Sequence, residues 1–321
     1  MVTTSGTYSF SVSRDDIVRE AMLNIGRLGE GESPTSQETT DVSRKLNMMV
    51  KQWMAKQDFA PGLKVWTRRR GTLFLSTTAY KYALGTTGTN WTIAPQTTML
   101  SSQANSAATS LQVTSNANMN VGDYIGIQLT SGILQWTTVS SLGTGTVTIP
   151  SPGLSGTAAI GNYVYSYTNK AQRPELIESA VLRDNQQNDT PLNIMDQSQY
   201  DLLPTKTQST NISDPTSVYY EAQLMNGQLY TDCGGAQDVS KQIIITYLEP
   251  IQDFNNPLDT PEYPQQWYMA LCWGLTKQIA PMFNLPFTSD MKELHNEAIA
   301  MAREAYPETS SMYFQSGSDR P

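Results

Sequence analysis

The stretch from residue 265 to residue 306 reads QQWYMALCWGLTKQIAPMFNLPFTSDMKELHNEAIAMAREAY, and the predicted fold is built around it. Its first half repeats large apolar residues at helical spacing, namely Trp267, Leu271, Leu275, Ile279 and Met282. Ala270 and Gly274 lie beside this stripe and would let another backbone come close. Pro281 and Pro286 interrupt the run, because proline cannot continue a helix.

A second helix is predicted in the other half of this stretch. Ser289 is expected to be its N-cap, with Asp290 in the first turn. Its predicted apolar side consists of Met291, Leu294, Ala298, Ala302 and Ala305, and Pro307 is expected to end it. Two amphipathic helices cannot bury their apolar stripes alone, so they need a partner elsewhere in the chain.

The opposite end of the chain supplies that partner as a helix hairpin. Ser13 and Asp16 predict a capping box at the start of one helix, and Thr35 and Glu38 predict another. The apolar faces are Ile17, Val18, Ala21, Met22, Ile25 and Leu28 on the first helix, and Val42, Leu46, Met49, Val50 and Trp53 on the second. The predicted ends are Gly29 and Gly31 for the first and Asp58–Gly62 for the second. Together the two ends predict one four-helix layer.

Between the two ends, patterns of strands dominate. The predicted strands are Trp66–Phe74, Tyr80–Leu84, Ser110–Thr114, Tyr124–Leu129, Leu134–Ser140, Thr146–Ile149, Tyr163–Tyr167, Leu176–Arg183, Leu192–Met195, Val218–Leu224, Gln228–Thr231 and Gln242–Tyr247. A short helical turn is predicted at Ser198–Leu203, and Asn226-Gly227 predicts a hairpin turn. From Leu84 to Asn169 the only charged residue is Asp123. A linker also has low charge, but alternating Trp, Tyr, Ile and Val favour a folded β domain.

These patterns predict an α+β fold. Residues 1–84 and 170–311 are expected to form one discontinuous body, in which the N- and C-terminal helix pairs are the helical part and strands are associated with it. Residues 85–169 are expected to form a small inserted all-β domain. Residues 312–321 are expected to be a C-terminal tail without a core of its own.

Composition narrows the range of functions. The 321-residue chain has a formal net charge of -8, and such an acidic chain is a poor candidate for tight, sequence-independent binding of nucleic acid. Cys233 and Cys272 are its two cysteines and are too far apart in sequence to suggest a disulfide framework or a metal site. Residues 1–10 lack the pattern of a secretory signal, and no stretch approaches the roughly 18 apolar residues of a membrane span. We therefore expect a cytoplasm-like compartment of assembly, no membrane, and no cofactor or metal.

Both ends of the sequence resemble a known family, the head-to-tail adaptor proteins of short-tailed phages, also called tail accessory or packaged-DNA stabilisation proteins. The matching stretches are SRDDIVREA at residues 13–21, LGEGE at 28–32, LNMMVKQW at 46–53, PQQWYMAL at 264–271 and IAP at 279–281. The resemblance covers about half of the chain, and it is a pattern of helices and turns with no catalytic signature. Residues 85–169 lie outside it.

The resemblance implies a structural virion protein at the head-tail junction. It implies a homo-oligomeric ring of about twelve copies beneath the portal protein, which extends the DNA channel and carries the tail nozzle, a tail fibre or a spike. Packaged double-stranded DNA would pass without sequence-specific binding, since an acidic or neutral wall does not retain phosphates. The resemblance also implies that the tail at Met312–Pro321, including Met312, Tyr313 and Phe314, docks on the portal.

The densest basic cluster is Lys64, Arg68, Arg69 and Arg70. We expect it to contact a neighbouring subunit or the portal, and contact with DNA phosphate is less compatible with the acidic chain. The alternative is a solvated strand edge carrying charge.

Two other classes of function remain open. Glu30 and Glu32 in a glycine-bearing loop could serve a cell-wall glycan hydrolase, although the required carboxyl pair is a weak signal and a solvated turn explains both residues. The aromatic residues Trp91, Trp136, Tyr124, Tyr163 and Tyr165 could stack on sugars in a polysaccharide-binding module, but their alternation also suits a buried β face. His295, the only histidine, is predicted to lie on the last helix at the flank of its apolar side, next to Leu294. Asp232, Cys233 and Asp238 match no metal-ligand spacing.

Overall fold

The computed structural model describes residues 6–55 and 65–304. Within these ranges the protein is mostly β, with 15 strands in three sheets and five short α-helices, and about 25% of it is helical. The predicted α+β class, a helical body with a small inserted β domain, is therefore wrong. The strands predicted as accessories of the helices instead form a large sheet with a hydrophobic core of its own.

The helices are α1 (Arg14–Asn24), α2 (Ser36–Ala55), α3 (Gln197–Asp201), α4 (Tyr268–Ile279) and α5 (Ser289–Glu304), with 3-10 turns at Val65–Thr67, Gln265–Trp267 and Ala280–Phe283. The first strands are β1 (Arg68–Phe74), β2 (Lys81–Leu84), β3 (Trp91–Thr92), β4 (Gln96–Met99), β5 (Ser110–Gln112), β6 (Tyr124–Gln128), β7 (Leu134–Thr138) and β8 (Ser141–Gly143). The others are β9 (Thr146–Thr148), β10 (Tyr163–Tyr167), β11 (Leu176–Arg183), β12 (Asp189–Met195), β13 (Ser217–Glu221), β14 (Gly227–Thr231) and β15 (Gln242–Leu248).

The chain divides into two compact units. The helical unit comprises residues 1–66 and 251–321, as far as these are described, and the β unit comprises residues 67–250. The predicted boundaries of an insert at residues 85 and 169 stay a prediction.

In the helical unit, helices from both ends of the chain share one core. Helix α4 packs against α1, α2 and α5, and it supplies buried Leu271, Leu275 and Ile279. The expectation that Met22, Trp53, Leu271 and Ala298 would meet in one body is confirmed, because the first three are buried in this core and Ala298 packs against it. The predicted packing of the chain ends is thus correct, although it describes only the smaller part of the fold.

Capping residues explain where α1 and α2 begin, and Gly26 explains where α1 ends. The Ser13 hydroxyl accepts from the Asp16 amide while the Asp16 carboxylate accepts from the Ser13 amide, and Thr35 and Glu38 do the same for α2. Both predicted capping boxes are confirmed. Helix α1 ends earlier than predicted, because Gly26 adopts a left-handed φ of 71° and its amide donates to the Leu23 carbonyl.

The start of α5 also differs from the prediction. Thr288 is the capping residue, since its hydroxyl accepts from the Met291 amide at 3.3 Å, and Ser289 is the first helical residue. Met282, predicted on the apolar stripe, lies in the 3-10 turn after α4 and is exposed. The predicted ends of α2 and α5, at Asp58–Gly62 and Pro307, lie outside the described residues.

The core of the helical unit depends on a close contact between Gly274 and Trp53. A β-carbon at Gly274 would lie 2.6 Å from the Trp53 ring and 3.0 Å from the Met49 sulfur. The missing side chain therefore makes room for an indole ring from α2, whereas the sequence suggested room for a backbone.

The change Gly274→Ala should lower the free energy of unfolding of the helical unit by about 1 kcal/mol. Overpacking in a core costs about 1–3 kcal/mol, and the better helix propensity of alanine returns about 1 kcal/mol at most. Urea titration followed by far-UV circular dichroism measures the difference. Gly29→Ala is the control, because its new β-carbon would meet only the flexible Glu32 side chain at 3.4 Å. Equal stability of Gly274→Ala and the wild type would contradict this account.

The β unit is organised by an eight-stranded sheet with the order β2-β14-β13-β12-β11-β15-β1-β3. Its two edge strands, β2 and β3, are consecutive in the chain, so the sheet is nearly closed like a barrel. The interior contains Leu73, Trp91, Ile243, Ile245 and Tyr247 among its buried residues. Trp91 lies across Gly71, where a β-carbon would be only 2.0 Å from the indole ring.

Strands β4–β10 form two further sheets, with the orders β4-β10-β6-β7 and β5-β9-β8. They have a separate apolar core that includes Leu111, Ile125, Val147 and Val164. The alternation that predicted these strands placed β5, β6, β7, β9 and β10 to within a few residues, but β3, β4 and β8 were missed. Trp91 on β3 lies inside the predicted insert, yet its strand pairs with β1 of the large sheet.

Candidate interaction surfaces

Three residues of the predicted basic cluster, Arg68, Arg69 and Arg70, are the first residues of strand β1. The fourth, Lys64, lies outside the described residues. Arg68 forms a bidentate ion pair with Glu178 on β11, with its Nε 2.5 Å and its Nη2 2.9 Å from the two carboxylate oxygens. The Arg69 Nε lies 3.1 Å from the Glu249 carboxylate. Two of the three arginines thus face carboxylates of their own unit, which reduces the charge that they present to a phosphate.

Arg70 stands near a third ion pair. The Arg183 guanidinium donates two hydrogen bonds of 2.7 Å to Asp189. These bonds, with a smaller contribution from the charge of Arg70, hold the pKa of Asp189 below its usual value. The proposed contact of Arg68, Arg69 and Arg70 with another molecule stays a prediction. The tail residues Met312, Tyr313 and Phe314 lie outside the described residues.

Three of the acidic candidates, Glu32, Asp232 and Asp238, accept local hydrogen bonds, and Glu30 is exposed in the turn after α1. The Glu32 carboxylate accepts the Gly29 amide hydrogen bond at 2.8 Å and closes the turn between α1 and α2. Asp232 accepts from the Thr216 amide and hydroxyl, and Asp238 accepts from the Ser240 amide. Among the described residues, no group of three or more His, Cys, Asp or Glu side chains could hold a metal ion.

Two of the predicted aromatic candidates are core residues. Trp91 is fully buried beside Tyr247, and its indole nitrogen donates to the Gln172 carbonyl. Tyr165 is buried against Phe74, with ring centres 4.7 Å apart. Tyr124, Trp136 and Tyr163 are only half-buried and pack around the same aromatic cluster. The interpretation as a buried β face is thus confirmed for Trp91 and Tyr165.

Among the described residues, two surface grooves of similar size are relevant to function. One, of about 480 Å³, is formed by residues 252–262 of the helical unit. Its carboxylates serve local contacts, because Asp253 pairs with Lys51 and Asp259 accepts the Asn255 and Asn256 amides. The other groove, of about 470 Å³, lies in the β unit and is lined by segments 76–90 and 133–136.

The outer sides of the helices combine charge with exposed apolar residues. On α5 the exposed residues include Leu294 and Met301, with Glu297 between them. On α2, Met48 is exposed on the side opposite the buried stripe. Sequence analysis missed these positions, since it followed only the apolar stripes. A methionine within an otherwise polar helix face was the available signal.

His295 is buried on α5, so the prediction that it lies only at the flank of the apolar side is wrong. Its ring meets the edge of Phe287, with ring centres 6.5 Å apart, and its Nδ1 lies 3.2 Å from the Asn296 side-chain oxygen. The neighbour Leu294 is exposed instead, so α5 is rotated relative to the predicted stripe. Burial, with a smaller contribution from Lys277, lowers the pKa of His295 although the contact with Asn296 acts in the opposite direction.

Stability should therefore fall as the pH falls through the ordinary histidine value of about 6.5. The folded protein has the lower His295 pKa, so the unfolded chain binds the proton more readily and unfolding is favoured in acid. Because the chain has a single histidine, His295→Gln should flatten this dependence between about pH 7.5 and 5.5. Urea titrations of both proteins across this range are the measurement. An unchanged slope in the variant would show that another group titrates.

Comparison of the chain with protein-family models and with curated proteins gives no match. Among the described residues, no helix is both long and apolar enough to cross a membrane.

Proposed function

We propose that the protein is an oligomeric ring adaptor at the head-tail junction of a short-tailed phage, placed between the portal protein and the tail. The observation that carries this proposal is the helical unit, which joins both chain ends in one core and still exposes large apolar side chains on three helices. These side chains are Met48 on α2, Met269 on α4, and Leu294 and Met301 on α5.

Contiguous apolar patches on a protein surface mark contacts with other proteins, and the proposal is that these four side chains contribute to such contacts. The helical unit also carries the stretches that resemble the adaptor family, and Met48 and Met269 lie within them, whereas Leu294 and Met301 lie outside them. The formal net charge of -8 suits a channel through which DNA passes without being retained. The nearly uncharged strands β4–β10 suit a surface that meets a tail component.

Mixing the purified protein with the portal protein of the same phage should give a ring complex of about twelve adaptor copies per portal ring, as the adaptor resemblance implies. Mass measurement in solution and negative-stain electron microscopy are the readouts. A portal protein from an unrelated phage is the control, and it should give no complex. If the protein stays monomeric with its own portal, the adaptor proposal is wrong.

A second candidate function is binding of a neutral saccharide by the β unit. The groove of about 470 Å³ favours it, because Trp136 lines it together with hydroxyl and amide side chains, including Thr87, Thr89 and Asn90. Lys81 is the one charged side chain among its described lining residues. Its volume is in the usual range for small-ligand sites.

A glycan array probed with the full-length protein tests this second candidate. Binding should be lost in Thr87→Trp, because the larger side chain at this exposed position fills the groove. Thr144→Trp, in a turn that does not line the groove, should bind as the wild type does. A wild-type protein that binds no glycan, or a Thr87→Trp variant that binds as well as the wild type, would remove the candidate.

A further inference from the structure

The outer faces of α2 and α5 carry the same pattern with opposite charge. On α2, Met48 has Arg44 four residues before it and Lys51 three residues after it. On α5, Met301 has Glu297 four residues before it and Glu304 three residues after it. Residues at these spacings lie on one side of a helix. Each triplet therefore places a methionine between two like charges that are about 10 Å apart along the helix axis.

Both triplets are accessible. The exposed fraction is 59% for Met48 and 68% for Met301, and the Arg44 side chain is 68% exposed. Lys51, Glu297 and Glu304 are also exposed. A helix pair buries such methionines against each other while the flanking charges pair across the edges of the contact.

The charge of each face is only partly met within its own copy. Arg44 has Asp41 at 3.6 Å, and Lys51 has Asp253 at 2.7 Å. Glu297 and Glu304 form no ion pair with any residue in the described part of the chain. The carboxylates of Glu297 and Glu304 can therefore pair with cations of another copy. Of the two cations on α2, Arg44 is the more available, because its own carboxylate partner is the more distant.

We propose that α2 of one copy packs in parallel beside α5 of the next copy, with Met48 against Met301, Arg44 against Glu297 and Lys51 against Glu304. This inference rests on the proposed ring function and assigns the contact between its subunits. The two faces are different surfaces of the same chain, so the contact is heterologous and repeats from copy to copy, as a ring requires. A second copy is the occupant because this chain itself carries both matching faces.

Charge reversal in the full-length protein, assembled with its portal protein, tests the contact. Glu297→Arg would set two arginines against each other, and we expect the subunit contact to weaken about tenfold or more, so that rings are lost at concentrations where the wild type assembles. Adding Arg44→Glu restores the opposite charges in exchanged order and should restore the rings. Both positions are exposed, and far-UV circular dichroism checks that the helices persist.

Glu293→Arg is the matched control. It changes the charge of α5 by the same amount, but in the proposed parallel register Glu293 faces Thr40, which has no charge. We expect rings to form as in the wild type.

The outcomes separate the two proposals. If the wild type forms rings and Glu297→Arg forms them equally well, the α2–α5 contact is wrong and the adaptor function still stands. The same conclusion follows if the wild type forms rings but the double variant does not regain them. A wild type that forms no ring with its portal would overturn the adaptor function and this contact with it.

Discussion

The antiparallel pairing of β1 with β15 is the constraint on which the rest of the structure depends. In its register Arg68 is opposite Leu248 and Phe74 is opposite Gln242, and the Glu249 amide donates to the Thr67 carbonyl just beyond the last pair. The chain therefore enters and leaves the β unit at neighbouring points. Two chain ends that leave side by side have little entropy to lose when their helices pack together.

Strand β1 also contributes to two of the hydrophobic clusters of the β unit. Successive side chains of a strand point to opposite faces, so Leu73 enters the interior of the large sheet while Phe74 enters the aromatic cluster with Tyr165 and Trp136. Both faces of this end of β1 are buried. At the other end of β1, Arg68 pairs with Glu178 on β11 and Arg69 pairs with Glu249 just after β15, so two arginines of the predicted cluster have carboxylate partners within the β unit.

The proposed assembly surface lies on the helices. Core residues of α2 and α5 are fixed by packing against α4, whereas Met48 and Met301 are left outside by the same geometry. Amphipathic helices with a methionine on the polar face are suited to contacts between proteins, because this flexible side chain adapts to an opposing surface. The inner sides of α2 and α5 thus pack into the core of the helical unit, and their outer sides carry a methionine between like charges.

The sequence by itself determined local structure: the capping boxes at Ser13 and Thr35, the alternation of β10 and β11, and the apolar stripes that bring the chain ends together. These features depend on neighbours a few residues apart. Only the tertiary structure decided that the strands form a nearly closed sheet, that His295 is buried while Leu294 is exposed, and that Arg68 meets Glu178. Such outcomes depend on contacts between residues that are distant in the chain. The spacing of apolar residues and the composition of a segment do not specify these contacts. The fold class was wrong for this reason, although most of its elements were placed correctly.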